Sequence, residues 1–346
     1  MNFLACDLGG TKVLLGIFER VINDDSPKLI LKKKYISSDW NSFELILEDF
    51  LKNECKNISH PSSACFAVAG PLSNNNAKII NLSWDISGNV LQNKFNFKSC
   101  ELINDFAVQI YGIPFLKKNQ YSTIQNGANS QEANKDLHTI VGAGTGLGIA
   151  RGIISERYVK VLASEGGHVE YSPKSELEWE LKIWLKKSLN VERISCERIV
   201  SGTGLSRIAE WRLSKSDAKN HPLKKYFKEI KIPDALRKEL PKKICTLSNE
   251  GDQLMVEVER IWLGAYASLL GDVALQELPF GGLWISGGTA SKHFKNFKSD
   301  LFMKQFFDKG RLKDILKTIP LRVILDEEFG LFSAACRANM LLKLLY

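Results

Sequence analysis

One arrangement occurs twice in this chain and restricts its fold more than any other feature. "NFLAC" is an apolar, strand-forming run, "DLGGTK" (Asp7 to Lys12) is a glycine turn, and "VLLGIFE" is a second apolar run. "LHTIV" leads in the same way into "GAGTG" and on to "LGIARGII". Gly10 and Gly144 hold comparable places, 134 residues apart. Self-similarity at that distance points to two related domains facing each other and not to a short-period solenoid. A length of 346 residues leaves ample chain for their buried cores.

The segments between and after the turns alternate in type. A helix is expected over Phe43 to Lys56 and a strand over Ala64 to Val68, running into "AGPL"; "NLSWDISG" reads as a loop. A strand ends near Glu101 to Ile103, and a helix follows from Phe106 to Ile113, stopped by Pro114. Helical spacing then covers Ser175 to Leu189, Leu205 to Ser214 and Asp252 to Leu275. "GLWISGG" is a strand entering a glycine turn, "LRVIL" a late strand, and Phe329 to Leu345 a closing helix. Alternating strands and helices predict the α/β class. The basic stretch 214–250 reads as a solvated surface excursion.

Composition removes several classes of function. The net charge of +8 is spread through "LKKK", "LKKS" and "HPLKKYFKEIKI" without the interleaved aromatics and glycines of an RNA-binding face, so nucleic acid is not expected. No apolar run reaches the ~18 residues of a membrane span, and the N-terminus lacks a secretory pattern. The seven cysteines include no C-x-x-C pair, and the five histidines show no metal-ligand spacing. This predicts a reduced, cytoplasmic chain with neither a disulfide framework nor a structural zinc.

The glycine turns suit an anion. In "DLGGTK", Gly9 and Gly10 tolerate positive φ, so their N–H groups could share one concavity, with Thr11 adding a hydroxyl and Lys12 a cation. Asp7, at the strand end, could hold Mg²⁺ directly or through water. A hairpin turn explains the two glycines as well, and a Walker A loop is excluded because a strand follows. "GAGTGLG" alternates glycine from Gly142 to Gly148, and "ISGGTASK" sets Gly287 and Gly288 after a strand, where a flat ring could lie close to the backbone. "ELINDFAVQIYGI" places Asn104 and Asp105 where a strand gives way to a helix. Helix capping accounts for such a pair; so does catalysis at the carboxyl end of an α/β strand. Glu165 and His168 bracket a Gly-Gly turn, and Glu197 precedes "SGTGL". A lone surface carboxylate or a buried, satisfied histidine would also fit them. As a set, amides and acceptors suit an uncharged polyhydroxylated substrate.

"DLGGTK", "AVAGPL", "NLSWDIS", "LINDFAVQI", "VGAGTGLG", "SEGGHVEY", "ERIVSGTGL" and "LWISGGTASK", in this order, resemble the successive motifs of the bacterial glucokinase family, within the actin-like ATPase superfamily. The resemblance implies an α/β, two-domain actin-like ATPase (ribonuclease H-like) fold with an interdomain cleft. Residues 1–115 plus 325–346 would form the small domain and 116–324 the large one. It implies ATP-dependent phosphorylation of glucose at the 6-hydroxyl, with Asp105 as general base. Asn104, Glu165, His168 and Glu197 would bond the other hydroxyls, and Asn81 and Trp84 would shape the pocket rim or simply pack. Asp7 would serve Mg²⁺; Gly9, Gly10, Thr11 and Lys12, with Gly144, Thr145 and Gly146, would hold phosphates; Gly287 and Gly288 would flank adenosine. A homodimer is usual in relatives, so the resemblance implies one here. Thr203 stands where many relatives carry proline.

Overall fold

The computed structural model describes residues 1–21, 24–70, 72–79, 82–128, 135–162, 164–227 and 234–343. Asn81, one of the expected sugar-pocket residues, and residues 228–233 of the basic stretch lie outside these. In chain order the first elements are β1 (Asn2–Leu8), β2 (Lys12–Val21), β3 (Asp24–Ile36), α1 (Phe43–Asp49), β4 (Ser63–Val68), β5 (Leu72–Ser73), β6 (Asn76–Ile79), β7 (Trp84–Ser87), α2 (Gly88–Lys94), β8 (Ser99–Asn104) and α3 (Gln109–Gly112). Next come β9 (Tyr121–Gln125), β10 (Leu137–Ala143), β11 (Leu147–Ile154), β12 (Val159–Leu162), α4 (Glu176–Leu189), α5 (Gly202–Leu213), α6 (Asp234–Asn249) and α7 (Gln253–Glu277). β13 (Gly282–Ser286), α8 (Phe294–Phe297), α9 (Asp300–Phe307), α10 (Lys313–Thr318), β14 (Leu321–Ile324) and α11 (Phe329–Lys343) complete the chain. Among the described residues no helix is long and apolar enough to cross a membrane.

The chain forms two compact units. One comprises Met1–Tyr121, Ala150–Ala163 and Asp326–Tyr346, the other Ser122–Ile149 and Ser164–Leu325. The grouping departs from a simple division near residue 116, because the hairpin at Ala150–Ala163 goes with the first unit. Gly152 permits this: a Cβ there would meet the Ile110 side chain at 2.6 Å.

In the first unit the strand order is β3-β2-β1-β4-β8. β1 is antiparallel to β2 and parallel to β4, which is parallel to β8. Side chains along β1 alternate between faces. Leu4, Cys6 and Leu8 join a core with Phe43, Ile46, Leu47 and Phe50, while Phe3 and Ala5 join one with Leu331, Ala334, Ala335 and Ala338. The helix spacing of each set, i, i+3, i+4, i+7, is what lets α1 and α11 cover opposite faces of one sheet. Ser42 starts α1 by accepting a hydrogen bond from Leu45 N. Arg337 on α11 clamps Glu101 on β8, Nε to Oε2 at 2.6 Å and Nη2 to Oε1 at 3.2 Å. The expected "NLSWDISG" loop is corrected: Trp84–Ser87 is a strand of a small three-stranded sheet, with Trp84 and Ile86 buried and Asp85 exposed.

In the second unit β10, β13, β14 and β9 lie side by side in that order, and β10, β13 and β14 are parallel neighbours. α7 is apolar on nearly all sides and sits in the core, capped at its start by Asp252, whose Oδ1 accepts from Met255 N at 3.0 Å. The basic stretch 214–250 is also corrected. Leu223, Leu240 and Ile244 are buried, so α6 is packed structure, with Lys242 exposed. Several cations elsewhere are paired, as Lys32 is with Glu328 and Lys33 with Asp49 and Glu54.

Candidate active site

Parallel strands bring the first group of candidate residues to one sheet edge. Leu8 pairs with Val68, and Val68 with Asn104. The carboxyl ends of β1, β4 and β8 are therefore level. Asp105 N donates to Val68 O at 3.1 Å, and Ala69 N donates to Leu8 O at 3.2 Å, which carries this alignment past the strand ends. Strand spacing puts the β1 and β8 backbones about 10 Å apart. Asp7 with the Gly9–Lys12 turn, and Asp105, thus stand two strands apart on the edge where α/β proteins bind ligands.

Asn104 and Asp105 divide the two roles the sequence allowed. Asn104 Oδ1 accepts from Phe106 N and Ala107 N, both at 3.0 Å, so it caps the turn that follows. Its Oδ1 is occupied, leaving the amide NH₂ as the group able to reach a ligand. Asp105 stands one residue on, half-buried. The helix expected over Phe106 to Ile113 is corrected to Gln109–Gly112 with a 3₁₀ turn at Ile113–Phe115. Proline at 114 removes an N–H donor and limits extension.

The Asp7 turn is tighter than a phosphate cradle requires. Gly9 and Gly10 keep φ outside the left-handed region, and Gly9 N is committed to Lys12 O at 3.0 Å. This turn closes the β1–β2 hairpin. Gly10, Thr11 and Lys12 remain exposed. Burial pushes the Asp7 carboxyl above its ordinary range, the Lys12 charge opposing this only in part. Among the described residues no side chain hydrogen-bonds to it. A desolvated carboxylate without a donor fits a divalent cation.

The second group also converges on strand ends. Gly142 on β10 pairs with Ser286 on β13, so the Gly144–Gly146 and Gly287–Gly288 turns are adjacent. Gly287 has φ +91°, and a Cβ there would meet Ala143 O at 2.9 Å, so only glycine brings these turns together without strain. Thr289 Oγ1 donates to the same Ala143 O at 2.6 Å. Gly144 N is used internally, donating to Gly146 O at 2.8 Å, and Gly144 O accepts from Gly202 N at 2.8 Å. Thr203 Oγ1 donates to Thr145 O at 2.6 Å. Thr203 thus ties the α5 N-terminus to the glycine turn. Local spacing singles out neither Ser201 nor Thr289 and gives Thr203 no role, because each acts on a backbone carbonyl or helix end.

Glu197 lies on a 3₁₀ turn and is half-buried. Its Oε2 accepts from Leu147 N at 3.2 Å and occupies the space a Gly146 Cβ would need, 2.5 Å away. Glu197 and His168 share the lining of a half-open cavity of about 390 Å³ with Glu192, Arg193, Ser195 and Arg198. His168 is exposed, which removes the buried-histidine alternative, and its Nε2 lies 3.8 Å from Glu165 Oε2. The Glu165 side chain is 79% exposed. Gly167 is fixed because a Cβ there would run into Leu147 O. The structure therefore brings Glu165, His168, Glu197 and Gly146 together. Trp84, at 4% exposure, is a core residue.

The glucokinase family profile matches residues 4–341. A glucokinase of Synechocystis sp. is 35% identical over 98% of this chain and 98% of its own length. One from Nostoc sp. is 34% identical over 97% of this chain and 99% of its own. The crystal structure of a glucokinase from an Antarctic psychrotroph superposes with a TM-score of 0.79 at 25% identity, covering 98% of this chain and 99% of that one. A ROK family glucokinase from Streptomyces griseus, solved with glucose and AMPPNP, shares the fold at TM-score 0.60 and 17% identity, over 98% and 100%. The mixed α/β fold, with its three sheets, is that of the sugar kinases. Within that class, the chain belongs to the glucokinase family.

Proposed function

We infer that this protein transfers the terminal phosphoryl group of ATP to the 6-hydroxyl of glucose. It is an ATP-dependent hexose kinase of the glucokinase type. The observation that carries this is the family match across residues 4–341, joined to 35% identity with a glucokinase along both chains. The site geometry supplies the chemistry. Asp105 accepts the hydroxyl proton as O6 attacks the γ-phosphorus; the bond from that phosphorus to the bridging oxygen breaks, and ADP departs. Phosphoryl transfer asks mainly for positioning and charge neutralisation. Lys12, Gly10 and Thr11 hold phosphates, as do Gly144, Thr145 and Gly146. Gly287 and Gly288 pack against adenosine. Glu165, His168 and Glu197, with the Asn104 amide, hold the remaining hydroxyls. This corresponds to the two-domain actin-like arrangement.

Asp7 is the residue that would hold Mg²⁺, which when bound neutralises phosphate charge. A folded-state pKa above the ordinary value makes ionised Asp7 unfavourable: its contribution to stability is full at acid pH and lost as pH rises through the folded value. Asp7→Asn is therefore expected to raise the melting temperature at pH 7 without added Mg²⁺. The same variant is expected to weaken Mg²⁺ dependence of turnover roughly 10–100-fold. Calorimetry and a magnesium titration check the two halves separately.

Gly146→Ala displaces the Glu197 carboxylate. Loss of a charged hydrogen bond to sugar, about 1.5 kcal/mol, corresponds to a rise of about tenfold in KM for glucose. Steady-state kinetics decide this, and an unchanged KM would remove Glu197 from the sugar site. The overall reading is tested by coupled ADP detection with and without glucose, then with mannose, fructose and glucosamine. ADP release that ignores sugar would favour an actin-like hydrolase instead. Seven free cysteines fit a cytoplasmic setting, and sedimentation at working concentration tests the homodimer.

A further inference from the structure

We propose that Cys245, Glu259 and His293 form a binding site for a thiophilic divalent cation of the zinc type, in the second unit and separate from the residues assigned to phosphoryl transfer. Three elements supply it: α6 carries Cys245, α7 carries Glu259, and His293 is the residue preceding α8. The Cys245 sulfur, a Glu259 carboxylate oxygen and a ring nitrogen of His293 lie within 4.8 Å of one another.

The geometry is close to that of a metal centre. Cys245 Sγ is 3.6 Å from His293 Nε2. Sulfur and nitrogen ligands at about 2.3 and 2.0 Å from a tetrahedral zinc stand roughly 3.5 Å apart. Glu259 Oε1 lies 3.0 Å from His293 Nδ1, where it either orients the imidazole or turns to join the cation. His293 is only 4% exposed, with one ring nitrogen toward the carboxylate and the other toward the sulfur. The carboxylate is already held in place: Ser248 Oγ donates to Oε2 at 2.6 Å, and Asn296 Nδ2 donates to Oε1 at 2.9 Å. The Trp262 ring packs on His293 with centroids 4.8 Å apart.

Charge supports a divalent ion. One thiolate and one carboxylate balance two positive charges, so the loaded cluster is neutral in a site where an unbalanced charge would be costly. Lys292 places an opposing positive charge near Cys245, but it is exposed and its long side chain can turn to water. Cys245 is partly accessible, which gives an entry path. The bound ion would fasten α6 and α7 to the segment that follows the Gly287–Gly288 turn, since His293 N already donates to Thr289 O at 3.0 Å.

Cobalt reports such a site directly. The whole protein, stripped with a chelator, should bind one equivalent of Co²⁺ with a sulfur-to-metal charge-transfer band in the near ultraviolet, and Zn²⁺ should displace it. Cys245→Ser should abolish the band, and Glu259→Gln and His293→Gln should each weaken binding by at least about tenfold. Circular dichroism confirms that each variant is folded; Cys245→Ala serves if the serine variant is not. A folded wild type that gives no band, or a band that persists in both Cys245→Ser and His293→Gln, overturns the proposal. The readout is metal binding, so either result leaves the phosphoryl-transfer reading where the sugar assays put it.

Discussion

Asp105→Asn is expected to lower kcat by roughly 10²–10⁴ while leaving the affinity for glucose within about tenfold of the wild type. The asparagine keeps the size and a hydrogen bond to the sugar hydroxyl but has no basic oxygen to take its proton. Backbone and Asn104 contacts hold the local frame. Asn104 Oδ1 caps the turn through Phe106 N and Ala107 N, and Asp105 is anchored through its own backbone N–H to Val68 O. The variant should therefore fold, and a loss of turnover would be chemical in origin. Isothermal titration with glucose and single-turnover kinetics separate the two quantities. Turnover within a few-fold of wild type would end the general-base assignment.

Trp262→Ala is expected to destabilise the second unit by about 3–5 kcal/mol, a large share of the stability of an ordinary domain. Trp262 is fully buried, stacks edge-on against Tyr266 with centroids 5.4 Å apart, and donates from Nε1 to Ser201 O at 3.0 Å. The consequence reaches the glycine turn. Ser201 Oγ caps α5 by accepting from Gly204 N at 2.9 Å, and the next residue donates to Gly144 O. Loss of the indole should thus move the urea midpoint sharply and raise KM for ATP. Trp262→Phe, which keeps most of the volume and loses only the donor, should fall between. An unchanged midpoint in Trp262→Ala would show that the packing around Ser201 is not set by this ring.

Much of this was legible from residue patterns because the physics involved is local. The turns between "NFLAC" and "VLLGIFE", and between "LHTIV" and "LGIARGII", fall where β1 meets β2 and β10 meets β11. Helix signals at Ser175 and Asp252 are the N-caps of α4 and α7. The errors have equally particular causes. Trp84 and Ile86 alternate with Asp85 as a half-buried strand does, but the flanking Asn, Ser and Gly masked a run only four residues long. The stretch 214–250 looked solvated because nine lysines are spread along it, yet Leu240 and Ile244, four apart, are enough to seat α6. Thr203 and Thr289 bond to carbonyls 58 and 146 residues away. Cys245 and His293, 48 positions apart, meet only because α6 packs beside the segment that follows β13. Ligand-spacing rules describe sites within one loop or helix and are silent on such meetings.

The position of phosphate on the product bears most directly on the central claim. The wild-type protein, given glucose, ATP and Mg²⁺, should yield ADP and a single sugar phosphate in equal amounts, with the phosphorus coupled in the NMR spectrum to the two protons on C6. Phosphate on any other carbon, or ADP accumulating with glucose unchanged, would contradict the account.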